Sequence, residues 1–96
     1  MATHLTLTPS RRPDGIVVLT AVGEIDMSNT TDLAALLDST PGPLVLDLTA
    51  VEYLDSAGLS VLFPHAERLE LISNPLLDPV LTVSGLSDLT TTHPAG

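Results

Sequence analysis

Ninety-six residues with no cysteine and no lysine, twelve acidic side chains and three arginines give a net charge of −9. This excludes disulfides, thiolate metal sites, cysteine nucleophiles and a P-loop, whose lysine holds the nucleotide phosphates. The charge also opposes binding to nucleic-acid phosphates or an anionic bilayer, so the expected partners are proteins with basic patches.

The length suits one domain, and at 44% hydrophobic residues with one Tyr, one Phe and no Trp its core must be built from Leu, Val, Ile and Ala. Met1 to Leu7 has no basic stretch followed by an apolar core. No apolar run approaches the roughly eighteen residues of a membrane span, so a cytoplasmic protein is expected.

From Thr3 to Thr8, His4, Thr6 and Thr8 alternate with Leu5 and Leu7, which predicts a half-exposed strand ended by Pro9. Ser10 to Gly15 is a polar loop with Arg11 and Arg12 as solvated charges. Ile16 to Val22 returns as a β-branched strand, so residues 1–15 supply the first strand and loop of an antiparallel hairpin. Gly23, Glu24, Ile25 and Asp26 lead out of the second strand to Ser28 and Asn29. These form the expected N-cap of a helix with Leu33, Leu36 and Leu37 on one face and Asp32 near its positive end.

Pro41, Gly42 and Pro43 close that helix, and Leu44, Val45, Leu46 and Leu48, broken only by Asp47, read as an interior strand. A right-handed crossover makes the second and third strands parallel neighbours with their C-terminal ends on one edge, which brings Asp26 near Asp55 and Ser56. After Tyr53 and Leu54 the period changes: Leu59, Leu62, Phe63 and Ala66 share a helical face, and Pro64 predicts a bend or an early stop.

Leu69, Leu71 and Ile72 form a fourth strand within Arg68 to Ser73, and Asn74 and Pro75 follow as a turn or helix start. Val80, Leu81 and Val83 form a short last helix stopped by Gly85, with Leu86 packing back, and residues 90–96 make an edge strand or frayed tail. The sum is a single α/β domain over 1–96. It has a mixed sheet of four to five strands with parallel central strands and an N-terminal hairpin, flanked by about three helices.

Asp55 and Ser56 stand where an N-cap belongs, at the C-terminal end of a strand. Helix-start amides and the dipole stabilise anions there, and such loops are where α/β sheets place ligands and partners. A serine at a helix start is more often simply a cap.

With these residues in view, the chain resembles the STAS family, in particular the bacterial anti-sigma factor antagonists. The resemblance rests on Gly23, Glu24, Ile25 and Asp26; on Leu46, Asp47 and Leu48 leading to Tyr53, Leu54, Asp55, Ser56, Ala57, Gly58 and Leu59; and on Ser84, Gly85 and Leu86. It spans roughly residues 16–90. The segments from Phe63 to Leu69 and from Asn74 to Val80 are shorter than the family pattern.

The resemblance implies that Ser56 is phosphorylated by a partner anti-sigma factor that is a serine kinase, and dephosphorylated by a phosphatase. Only the unphosphorylated form would bind the anti-sigma factor and free the sigma factor. ATP and magnesium would belong to the kinase, so this chain needs no cofactor. Glu24, Asp26, Asp55, Ser56, Ala57, Gly58 and Leu59 would form the partner-binding surface, with Asp26 and Asp55 shaping the surroundings of the serine.

Other readings are weaker. A STAS scaffold or accessory module without a serine switch differs only in whether Ser56 takes a phosphate. A receiver domain, suggested by Asp47 and Asp26, lacks its lysine. A serine hydrolase would need His65 or His93 as base, and the turn has Leu54 where a nucleophile elbow has glycine. His4, His65 and His93 are scattered, so no metal site is expected.

Overall fold

In the computed structural model the described residues are 4–93. The start of the first strand at Thr3 and the tail Pro94, Ala95 and Gly96 lie outside them. Five strands, β1 (Leu5–Arg11), β2 (Val17–Ile25), β3 (Leu44–Leu54), β4 (Leu69–Ile72) and β5 (Thr91–His93), form one sheet in the order β1-β2-β3-β4-β5. The β1–β2 pair is antiparallel and every other pair is parallel.

Between the strands lie α1 (Thr30–Ser39), α2 (Ser56–Leu62) running into a 3₁₀ segment (Phe63–Arg68), α3 (Asp78–Val83) and α4 (Leu86–Leu89). Each parallel step moves one place in the same direction, so right-handed crossovers put all the helices on one face of the sheet. Along β2 that face carries Leu19, Ala21 and Ile25, which join Leu33, Leu37, Leu46, Leu62, Leu71 and Leu81 in one core. Each such leucine contributes about 1.5–3 kcal/mol by leaving water. Val18, Thr20 and Val22 point to the other, uncovered face.

Several boundaries differ from expectation. Pro9 does not end β1, which runs on to Arg11 with Pro9 opposite Leu19; an edge strand tolerates the missing donor. Glu24 and Ile25 stay in β2 rather than leaving it, because Gly23 takes a positive φ of 117° and lets β1 approach. A Cβ there would stand 2.3 Å from the His4 carbonyl oxygen, which accepts the Glu24 N–H at 3.1 Å. Gly23→Ala is therefore expected to cost about 2–3 kcal/mol, the scale of a strained backbone residue, measured as a lowered denaturant midpoint at unchanged slope.

Of the hairpin arginines, Arg11 ends β1 opposite Val17 and Arg12 stands in the loop, both exposed. Arg12 pairs with Asp14, and that hydrogen bond, helped by the Ile16 N–H, holds the Asp14 carboxyl below its ordinary range. The third arginine, unassigned from sequence, is structural. No basic residue stands in the last turn of α1, and Arg68 supplies the missing charge from 26 or more positions away. Its guanidinium donates to the carbonyls of Leu37, of Thr40 at 2.6 Å and of Gly42 at 2.9 Å.

Strand β3 is longer than the apolar run suggested because it carries one extra residue at each of two register shifts, opposite Thr20/Val22 and Gly23/Glu24. Its pairing with β4 ends at Asp47. Beyond that point the buried Asn74 side chain takes over the role of a strand, donating to the carbonyls of Leu48 at 2.9 Å and Val51 at 2.8 Å. As expected from Pro64, α2 stops at Leu62 and continues only as a 3₁₀ turn. Gly85, at φ 87°, stops α3, but Leu86 then opens a fourth helix rather than merely packing back, while its side chain is fully buried.

Candidate functional site

Residue 55 follows β3 in an extended conformation, so its carboxylate faces back over the first turn of α2 and Oδ1 accepts the Gly58 N–H at 2.9 Å. The cap is thus Asp55. Ser56 is the first helical residue and is exposed. Its carbonyl accepts the Ser60 hydroxyl, and its own side chain is not spent on capping.

The same aspartate joins the two turns at the carboxyl edge of the sheet. Asp55 Oδ2 accepts the Met27 N–H at 3.3 Å, and the Asp55 N–H donates to the Ile25 carbonyl at 3.2 Å. Asp26 is fixed by Ser28, whose N–H and hydroxyl both donate to Oδ1, at 2.9 and 2.6 Å. Asn29 occupies the N-cap position of α1 without capping it, a departure from expectation with a clear cause. The side chain is buried and turned towards the strand, its Oδ1 accepting the Asp26 N–H and its Nδ2 donating to the Glu24 carbonyl. Asn29 thereby sets the turn that presents Asp26.

Of the residues expected at this surface, the structure brings Glu24, Asp26, Asp55 and Ser56 to one edge, with Glu24 and Ser56 exposed and Ala57 half-buried. Gly58 and Leu59, by contrast, are buried beneath that edge. A Cβ on Gly58 would come within 2.6 Å of Leu54 Cδ1 and 2.7 Å of Ile25 Cγ2, so glycine is what lets α2 sit down on the strand ends. Met27 and Tyr53, which the sequence did not mark as part of this surface, are 80% and 49% exposed, and the Met27 N–H bonds to Asp55. The available signal was an apolar Met27 inside the polar turn from Asp26 to Asn29.

Asp55 has two acceptor oxygens and uses both, which separates its two roles. Asp55→Ala is expected to cost about 1–2 kcal/mol through the lost cap. Asp55→Asn keeps one acceptor for Gly58 but offers an NH₂ group to Met27, so the fold should hold while the Met27 amide exchanges faster. Native-state hydrogen exchange reads the difference, and equal Met27 protection in wild type and Asp55→Asn would contradict it.

The histidines His65 and His93 are bonded to groups other than Ser56. His65 accepts from Arg68 and faces Asp38 at 3.4 Å, while His93 bonds to Glu70 on the neighbouring strand. Asp47 accepts both the N–H and the hydroxyl of Thr49. Among the described residues no group of three or more His, Asp or Glu side chains is placed to hold a metal ion, and no helix is long and apolar enough to cross a membrane.

An N-terminal hairpin continued by a parallel sheet, with helices on one face and a serine opening the helix after the third strand, defines the class. The chain belongs to the STAS domain family, whose model matches residues 9–75. Over 60 residues it is 37% identical to the anti-sigma-F factor antagonist RsfB of Mycobacterium tuberculosis, a stretch that is 58% of this chain and about half, 49%, of that protein. Its fold is similar to the crystal structure of an anti-sigma factor antagonist from Mycobacterium paratuberculosis, with a TM-score of 0.83 at 28% identity over 96% of this chain and 87% of the other. The unphosphorylated form of the anti-sigma factor antagonist SpoIIAA shares the fold alone, with a TM-score of 0.72 at 15% identity over 95% and 89% of the two chains.

Proposed function

We propose that this STAS domain is an anti-sigma factor antagonist that acts in the cytoplasm by partner switching, with Ser56 as its phosphoacceptor. The observation that carries the reading is the division of labour at the start of α2: Asp55 caps the helix, and the neighbouring Ser56 is exposed, at the sheet edge that also carries Asp26 and Glu24. The names of the relatives at 37% and 28% identity support the same reading.

The unphosphorylated domain binds an anti-sigma factor and thereby frees a sigma factor. That anti-sigma factor is also a serine kinase and holds ATP and magnesium. The Ser56 oxygen attacks the γ-phosphorus, ADP leaves, and the hydroxyl proton passes to a base of the kinase. The product phosphate, carrying about −1.5 to −2 charges, ends the association until a phosphatase removes it. This chain contributes the nucleophilic oxygen and the docking surface, and no catalytic group.

The test is intact-mass analysis after incubation with the purified kinase and ATP. One phosphate is expected on wild type and none on Ser56→Ala. A wild-type chain that binds the anti-sigma factor yet stays unmodified would make the domain a scaffold, and a chain that does neither would remove the reading altogether.

A further inference from the structure

On the uncovered face of the sheet, where the extra residues of β3 push its last turns out of register, an open groove of about 570 Å³ is lined by Val22, Ala50, Val51, Pro75 and Leu76, with Glu52 on its rim. Val22 is 43% and Leu76 70% exposed, a costly way to leave two aliphatic side chains in a domain this small. The groove lies towards the carboxyl edge of the sheet, the edge that also carries Ser56. Val22 and Glu24 lie on the same face of β2, Glu24 is in register with Tyr53, and Asp55 follows one residue after the end of that pairing.

Charge is sorted along the same axis. Arg11 pairs with Val17, Val17 with Leu44 and Leu44 with Leu69, beside Arg68, so all three arginines crowd the amino ends of the parallel strands. The carboxyl edge carries Glu24, Asp26, Glu52 and Asp55, with no arginine to balance them.

A largely apolar groove with Glu52 in its lining, at the acidic edge of the sheet, is complementary to an apolar side chain flanked by positive charges. A second copy of this chain, at a net charge of −9, is a poor match. We propose that this groove is a second docking point for the anti-sigma factor, independent of the serine chemistry. It would take an aliphatic or aromatic side chain carried between lysine or arginine residues. The proposal rests on the function given above and extends its surface from the serine to the opposite face of the sheet.

Leu76→Ser, Val22→Thr and Glu52→Lys leave the serine and its neighbouring carboxylates untouched, and each change is at an exposed position. With purified anti-sigma factor and wild-type-like melting as a control on folding, Leu76→Ser and Val22→Thr should each raise KM for Ser56 phosphorylation about tenfold, the effect of losing one buried apolar anchor. kcat should stay within about twofold, since only uniform binding is lost. Glu52→Lys should weaken binding and flatten its salt dependence.

Unchanged KM and affinity in all three variants, with wild type still phosphorylated, would overturn the groove and leave the function standing. A wild-type chain that neither binds nor is phosphorylated would overturn both. A micromolar dimer in sedimentation that Leu76→Ser dissolves would assign the groove to a second copy and likewise overturn the proposal.

Discussion

Replacing Ser56 by glutamate is expected to lower affinity for the anti-sigma factor about 30-fold or more, while Ser56→Ala binds as wild type. A kinase that transfers phosphate to Ser56 must bring the nucleotide's terminal phosphate in line with the hydroxyl oxygen, so in the complex that oxygen faces anionic oxygens. A carboxylate in its place fills the same space and meets like charge. At a separation of about 6 Å and an effective dielectric of about 20, each unit pair costs about 3 kcal/mol.

The fold should be indifferent to the change, because Ser56 is exposed and Asp55, not Ser56, caps α2. Isothermal titration in the presence of a non-hydrolysable ATP analogue, together with thermal melting of the free variants, reads the two effects apart. Equal affinities for wild type, Ser56→Ala and Ser56→Glu would remove the switch.

The largest effect on stability is expected from Asn74→Ala, at about 3 kcal/mol. Asn74 is 8% exposed and serves both ends of a gap: its Nδ2 donates to the carbonyls of Leu48 and Val51, and its Oδ1 accepts the Leu77 N–H at 3.0 Å. Alanine leaves the Leu48 and Val51 carbonyls without this donor, while the Leu77 N–H keeps the Asn74 backbone carbonyl at 3.1 Å; a buried polar group so stranded costs about 1–3 kcal/mol. The adjoining groove admits water, which holds the sum towards the lower end.

For a chain of this size each kcal/mol moves Tm by about 4–8 °C, so a fall of roughly 15 °C is the expected reading. Asn74→Asp keeps the volume but sets a carboxylate against two carbonyl oxygens, and should be no better. A melting temperature within about 3 °C of wild type for both variants would show that β3 does not need this side chain.

Much of the architecture was legible because it is written in short-range patterns. Alternation marked β1, a β-branched run marked β2, the apolar run marked the start of β3, and Pro64 and Gly85 marked where helices stop. The handedness of strand–helix–strand units then placed the ends of β2 and β3 on one edge, which was enough to bring Asp26 towards Asp55 and Ser56. The Asp-Ser-x-Gly turn was equally visible, along with its alternative as a plain helix cap.

Tertiary structure decided which of the two residues does the capping. That depends on the backbone direction at residue 55, and the extended conformation at the end of β3 assigns it to the aspartate. Contacts between residues far apart in the chain decided the rest. Arg68 reaches carbonyls at the end of α1, Asn74 reaches carbonyls of β3, and Gly58 and Leu59 are buried against strand ends. The groove exists because two extra residues break the two-residue period of β3, and with it the one local signal that tells which side chains face inward.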